Sequence, residues 1–367
     1  MKIALTMAVL LLAVSVQAAP APQAANAFAF RLWRAGAAKE ALGPWAVYAS
    51  AAAISLRASG PLLEAARVPL GWDARKEAIE ELGKRRSRLA ELEPGGLRLA
   101  TRFVFSGGDA LPPSFLRDVK EILGEVPETW PSAASPADRV SRMSRGVAFS
   151  TRGRLRDFAT GKIPPPTSSA WIAAATVLEA SLDLPSSSYA AYRPGATGDD
   201  VSRAAWIRAS GLVDYGENEG ARWIELSLSG KTLALFLYLP RSGRITEKEL
   251  EGWDESWLTS LRGRLRPRAV ALEFPRLEVD SGTVVVDAAL ARAGWPKDFP
   301  ATAFWHRARV SISPSPVALS ADGAPKGEPL KVDGAFFWSL VERESGTILA
   351  MGSFSGAYRQ KSAQKTR

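Results

Sequence analysis

The chain has 367 residues, 46% of them hydrophobic, with 12 Trp, 14 Phe, one His, no Cys and a formal net charge of +9. Nucleophilic triads and zinc sites of the usual ligand sets need histidine or cysteine, so this composition excludes most of them. The positive charge is arginine-led and spread along the chain, which is the pattern of a solvated basic surface, and no nucleic-acid-binding module accompanies it.

Met1-Lys2, the apolar run over residues 3–16 and the small-residue site Val16-Gln17-Ala18 have the layout of a signal peptide. Residues 1–19 are therefore expected to be removed and the product exported, to the periplasm or outside the cell. The apolar run is shorter than the ~20 residues that span a bilayer, and a lipoprotein linkage needs a cysteine, so no membrane anchor is expected. Without disulfides the exported fold must be held by its core alone. Residues 20–25 are expected to form a short linker and 359–367 a disordered basic tail.

Residues 26–41 predict a first helix, and 50–58 an alanine-rich second helix broken at Gly60-Pro61. Over residues 74–92, Ile79, Leu82, Leu89 and Leu92 recur at helical spacing, giving an amphipathic helix with a basic outer face. Leu97, Leu99, Phe103 and Phe105 alternate as in a half-buried strand. Pro112-Pro113 then introduces a helix with Phe115, Val119 and Ile122 on one face. A Pro/Ser/Ala connection over 127–136, another helical run and a loop over 161–169 follow.

The second half is strand-rich. Residues 223–228 and 232–239 flank Ser229-Gly230 as a hairpin. Val270, Leu272 and Phe274 alternate again, Asp287 is placed to cap a short helix ending at Gly294, and two apolar strands joined by Glu344-Ser345-Gly346 close the chain. Helices first and strands later, without regular alternation, predict an α+β fold. No Gly-x-Ser-x-Gly elbow, phosphate loop or Gly-x-Gly-x-x-Gly fingerprint appears. No catalytic activity and no cofactor are expected.

Three blocks in one order carry a resemblance. Phe274-Pro275-Arg276-Leu277, then Val285-Val286-Asp287 to Leu290 with Gly294, then Asp333-Gly334-Ala335-Phe336-Phe337-Trp338 with the closing hairpin are similar to successive segments of the serpin family. Phe28 to Leu32, Val47-Tyr48-Ala49-Ser50 with Ile54, and Thr151-Arg152-Gly153-Arg154-Leu155 resemble its N-terminal half more loosely. The resemblance spans residues 26–358 and implies a single serpin-like domain with three β-sheets wrapped by eight or nine helices.

It also implies site residues. The family's sheet-opening region corresponds to Ser50, Ala53, Ala175 and His306, where only the histidine of a serine, asparagine and histidine set is kept. The residues read His306 as a satisfied buried imidazole rather than a catalytic base. The Phe-Lys-Gly-x-Trp signature is absent at 179–183.

The hinge that enters the central sheet of inhibitory members corresponds to Ser313, Pro314, Ser315, Pro316, Val317 and Leu319. Pro314 and Pro316 lack the amide hydrogen a central strand needs, and Val317 and Leu319 are large where small side chains are wanted. The resemblance therefore implies a secreted, monomeric binding or structural protein that does not trap proteases. The alternative is a suicide inhibitor of an extracellular serine or cysteine protease through loop 313–331. Lys326-Gly327 is the candidate reactive bond. Lys84, Arg85, Arg86 and Arg88 align with a helix that binds polyanions in some members, although contiguous charges wind around a helix and read first as a solvated face.

Overall fold

A computed structural model describes residues 21–107, 110–131, 135–159, 170–192, 203–297, 299, 302–317 and 327–354. In chain order the elements are α1 (Ala21–Arg34), α2 (Pro44–Ser55), α3 (Gly60–Leu70), α4 (Arg75–Ala90), β1 (Leu97–Ser106), α5 (Pro113–Leu123), β2 (Glu128–Trp130), α6 (Pro136–Ser150) and β3 (Ala170–Ser181). They continue as β4 (Ser186–Tyr192), β5 (Arg203–Glu217), β6 (Ala221–Ser227), β7 (Leu233–Pro240), α7 (Glu247–Glu251), α8 (Glu255–Gly263), β8 (Arg266–Pro275), β9 (Glu278–Asp280) and β10 (Val284–Val285). The last are α9 (Asp287–Arg292), β11 (Thr302–Ser313), β12 (Glu328–Lys331), β13 (Phe336–Glu342) and β14 (Ile348–Phe354). The α+β class holds.

Several boundaries differ from the sequence reading for local reasons. Residues 21–25 are the first turns of α1 rather than a linker, because alanines propagate a helix and Pro22 is tolerated at its start. The second helix lies earlier than expected, opening at Pro44 and ending at Ser55. Gly60-Pro61, expected to break that helix, lies beyond its end and instead opens α3, where the missing amide hydrogen of proline costs nothing. Asp287 does not cap α9. It is the first helical residue, and its carboxylate instead accepts the amide of Phe304 on β11, at 3.2 Å for the nearer oxygen.

Two hydrogen-bonded sheets form among the described residues, where the resemblance implied three. The six-stranded sheet runs β10-β11-β3-β1-β2, with β9 also on β11; the eight-stranded sheet runs β12-β8-β5-β6-β7-β13-β14, with β4 also on β5. The merger follows from the length of β5. Its first half pairs with β4, its last four residues with β6, and β8 spans both stretches, so two expected sheets share one continuous strand.

The six-stranded sheet is the frame of the site. Its inner face carries Ile172, Ala174, Leu178, Phe304 and Val310 into the main core; its outer face carries Trp171, Ala173, Ala175, Val177 and Trp305 under α6. Every residue of α2 is buried, as expected of a helix that is apolar all round. It packs on β1, β3 and β14. The first helix is stitched to the last hairpin: the Asn26 side chain donates to the Gly346 carbonyl at 2.8 Å and accepts the Ile348 amide at 2.9 Å.

Candidate functional site

The central feature is the seam between β3 and β11. The two strands run parallel and are paired without interruption from Ala170–Thr302 to Ser181–Ser313. Ser313 is the last residue in the ladder; its carbonyl accepts the Leu182 amide at 3.1 Å and its hydroxyl donates to the Ala180 carbonyl at 3.2 Å.

Past Ser313 the chain leaves the sheet. The Ser315 amide donates to the Ser186 hydroxyl at 2.6 Å, and the Ser186 amide donates to the Val317 carbonyl at 3.1 Å. Val317 closes the turn by donating its own amide to the Ser315 hydroxyl at 3.1 Å, and its side chain is 61% exposed. Pro314 and Pro316 thus sit in a turn docked on the start of β4, a geometry that suits a fixed φ and asks for no amide hydrogen. Leu319 lies outside the described residues.

His306, on β11, locks the seam from the inner face. The Gly43 amide, just before α2, donates to its Nε2 at 3.0 Å, so the ring proton is on Nδ1 and is donated to the Ala174 carbonyl of β3 at 3.0 Å. Complete burial lowers its pKa to about 4, which keeps it neutral. A ring with both nitrogens occupied and no exposed surface has no proton-transfer role towards a substrate.

Of the other expected sheet-opening residues, Ser50 and Ala53 lie fully buried on α2, and the Ser50 hydroxyl has no hydrogen-bond partner among the described residues. Ala175 is a correction: strand alternation puts its side chain on the outer face, under α6. The β3 residue paired with His306 is Ala174, and Thr176 is the one whose side chain reaches Gly43. A Cβ on Gly43 would come within 2.2 Å of the Thr176 hydroxyl oxygen, so this approach requires glycine. Sequence reading missed Gly43, Thr176 and Ser186; Gly43 alone gave a signal, as the glycine preceding a helix-opening proline.

The candidate reactive bond is only half visible, because Lys326 lies outside the described residues. Gly327 is pressed on β8, where a Cβ would fall 2.6 Å from the Val270 amide nitrogen, and β12 begins at the next residue. The chain following the bond is therefore held in a sheet rather than in an exposed loop.

The family model for serpins (serine protease inhibitors) matches residues 23–356. The chain belongs to the serpin family. An uncharacterized serpin-like protein of Thermococcus kodakarensis is 22% identical over 294 residues, covering 71% of this serpin and 67% of that relative. Among solved structures, a tumour suppressing serpin superposes with a TM-score of 0.77 at 15% identity, over 92% of this chain and 99% of that one. Native protease nexin-1 with heparin gives 0.79 at 12% identity, over 91% and 98%. The thermophilic serpin Tengpin in its native state gives 0.77 at 14% identity, over 90% and 93%. At these identities the structures establish the serpin fold.

The basic cluster of this serpin lies on α4, but its charges are divided. Arg85 pairs with Glu81 at 3.5 Å and approaches Glu342 at 3.8 Å, and its side chain is only 14% exposed. Arg88 pairs with Glu342 at 3.5 Å and with Glu344. Arg86 donates to the Glu121 carbonyl at 3.0 Å, and Lys84 points to solvent. Four adjacent cations therefore do not form one open stripe. Burial opposes ionisation of Glu342, yet hydrogen bonds from the Ser345 hydroxyl and amide and the Glu344 amide, together with Arg88, bring its pKa below the ordinary carboxylate value.

Proposed function

We propose that this serpin is an exported, monomeric binding or structural protein that does not trap proteases. The observation that carries the reading is the hinge: Pro314 and Pro316 stand in a turn held by Ser186 at the point where an inserting loop would have to enter the β3–β11 seam. Insertion as a central strand needs an unbroken run of amide donors, and each proline removes one ladder bond and restricts φ. An inhibitor of this type works by letting insertion outrun hydrolysis of the acyl-enzyme, so a slow hinge leaves a substrate. Incubation with a panel of serine and cysteine proteases, followed by a denaturing gel, tests this. Cleaved chain without a covalent complex is expected, and a stable complex would overturn the reading.

A second reading, a suicide inhibitor acting through loop 313–331, draws on the seam itself. Strands β3 and β11 are adjacent and parallel, so a strand that parted their ladder could enter between them antiparallel to both. The same gel separates the two readings.

A further inference from the structure

We propose that the cavity between α9 and the start of β11 is a binding site for a small organic cation, a protonated amine carried on an apolar body. The cavity has a volume of about 350 Å³ and opens to solvent. Leu290 of α9, Trp295 and Phe299 of the segment that follows, and Phe304 of β11 supply its apolar lining, and Asp287 lies among them. Small-molecule sites are built this way, from apolar and aromatic side chains with a few placed polar groups, and this volume suits a small ligand.

The carboxylate of Asp287 sets the sign of the ligand's charge. It joins two walls of the cavity, since both of its oxygens accept the Phe304 amide, at 3.2 and 3.3 Å. One amide shared between two oxygens leaves most of a carboxylate's acceptor sites open. Among the described residues no cation pairs with it. Lys297, which also lines the cavity, is exposed and forms no ion pair with it, and Arg292 of α9 is turned to the Ala35 carbonyl at 3.0 Å. Burial raises the Asp287 carboxyl above the ordinary carboxylate value, against the effect of the amides of Phe304 and of Asp287 itself. A bound cation restores what desolvation takes from the charged form.

The rings narrow the choice further. Trp295 meets Phe299 at 4.9 Å between centroids, tilted by 47°, and Phe304 at 6.3 Å edge-on. Aromatic faces attract a cation and cover its apolar attachment. An anion is repelled by the carboxylate, and a neutral ligand leaves it uncompensated. A bare divalent ion needs several oxygen ligands, and among the described residues no group of three or more His, Cys, Asp or Glu is placed to hold one. An ammonium group brings its own N–H donors and its own apolar body, which suits one carboxylate beside three rings. The site is separate from the hinge, so it stands whether or not the chain traps proteases.

The test is calorimetric titration of the full chain with probes of one shape: phenethylamine, 2-phenylethanol and phenylacetate. The amine is expected to bind with a millimolar or tighter Kd and the alcohol about tenfold or more weakly, the usual worth of a hydrogen bond to a charged group, while the acid should not bind. Asp287→Asn keeps an acceptor for the Phe304 amide but removes the charge; it should weaken the amine about tenfold or more and leave the alcohol unchanged. Ala291→Leu fills the cavity from α9 with a good helix former and leaves Asp287 intact, so it should weaken amine and alcohol alike. Lys297→Gln removes the cation at the rim and should bind the amine as the parent does or more tightly. The proposal is overturned if the amine fails to bind at about 10 mM, if the alcohol matches it, if Asp287→Asn or Ala291→Leu binds it like the parent, or if Lys297→Gln abolishes binding.

Discussion

Gly43 and His306, 263 residues apart in sequence, meet through a 3.0 Å hydrogen bond from the glycine amide to Nε2, and the other ring nitrogen holds the carbonyl of Ala174. One imidazole thus joins the start of α2 to both strands of the seam.

That arrangement makes stability depend on pH in a defined window. The folded pKa of His306, about 4, lies below the ordinary value of 6.5, so between these limits the unfolded chain binds the extra proton. Stability is expected to be constant above pH 6.5, to fall by about 3 kcal/mol as pH drops to 4, and to show no further loss from this group below that. Urea unfolding of the parent and of His306→Gln at pH 7, 5.5 and 4 checks it; the variant should lose this dependence.

Glu342 is expected to act in a lower window. Its pKa is below the ordinary carboxylate value, so its stabilisation is present above that value and is lost as pH falls through the lowered one. At pH 7 Glu342→Gln should cost about 1.5–3 kcal/mol, the usual worth of hydrogen bonds to a charged group. Denaturant midpoints at pH 7 and pH 3 should show a difference between variant and parent that shrinks in acid.

Cutting the loop of the unmodified chain is expected to leave the unfolding temperature unchanged or slightly lower, because no new strand is gained. Replacing Pro314 with Glu, Pro316 with Gly, Val317 with Thr and Leu319 with Ala should let cleavage raise Tm. Differential scanning calorimetry before and after nicking reads both, and a large rise in the parent would mean that its sheet opens.

Trypsin is expected to nick the bond after Lys326 slowly, since a protease needs extended chain on both sides and Gly327 is packed on β8. Gly327→Ala places a Cβ against Val270 at a φ of +136°, which L residues rarely adopt, and should loosen the start of β12 and speed the nick severalfold. Mass spectrometry of a timed digest gives the site and the rate; first cleavage far outside residues 313–331 would refute an accessible loop.

Much of the architecture was legible because it follows from local patterns: the alternation in Phe274, Leu272 and Val270, the period of Ile79 and Leu82, the turn at Ser229-Gly230. The single continuous β5 was not, since its alanines, Gly211 and an exposed Leu212 give no clean alternation. At the site the proline hinge could be read from residue types alone. What escaped was register. Three consecutive alanines, Ala173 to Ala175, carry no pattern to say which faces His306, and only the pairing of β3 with β11 picks Ala174. Likewise nothing local shows that Glu342 would divide Arg85 and Arg88 between them, because that contact joins segments more than 250 residues apart.

The stitch between Asn26 and the turn before β14 has a consequence for how the molecule is made. The ribosome delivers α1 more than 200 residues before Trp253, Trp257 and Phe337, so Phe30 and Trp33, which pack on those rings in the finished protein, lack that cover while the intervening chain is synthesised. Contacts so distant in sequence close late and slowly. A chain truncated before β13 would lack Phe337, against which Phe30 and Trp33 pack, and the β14 end of the stitch, and removal of a few dozen C-terminal residues should therefore open the core rather than trim one edge of it.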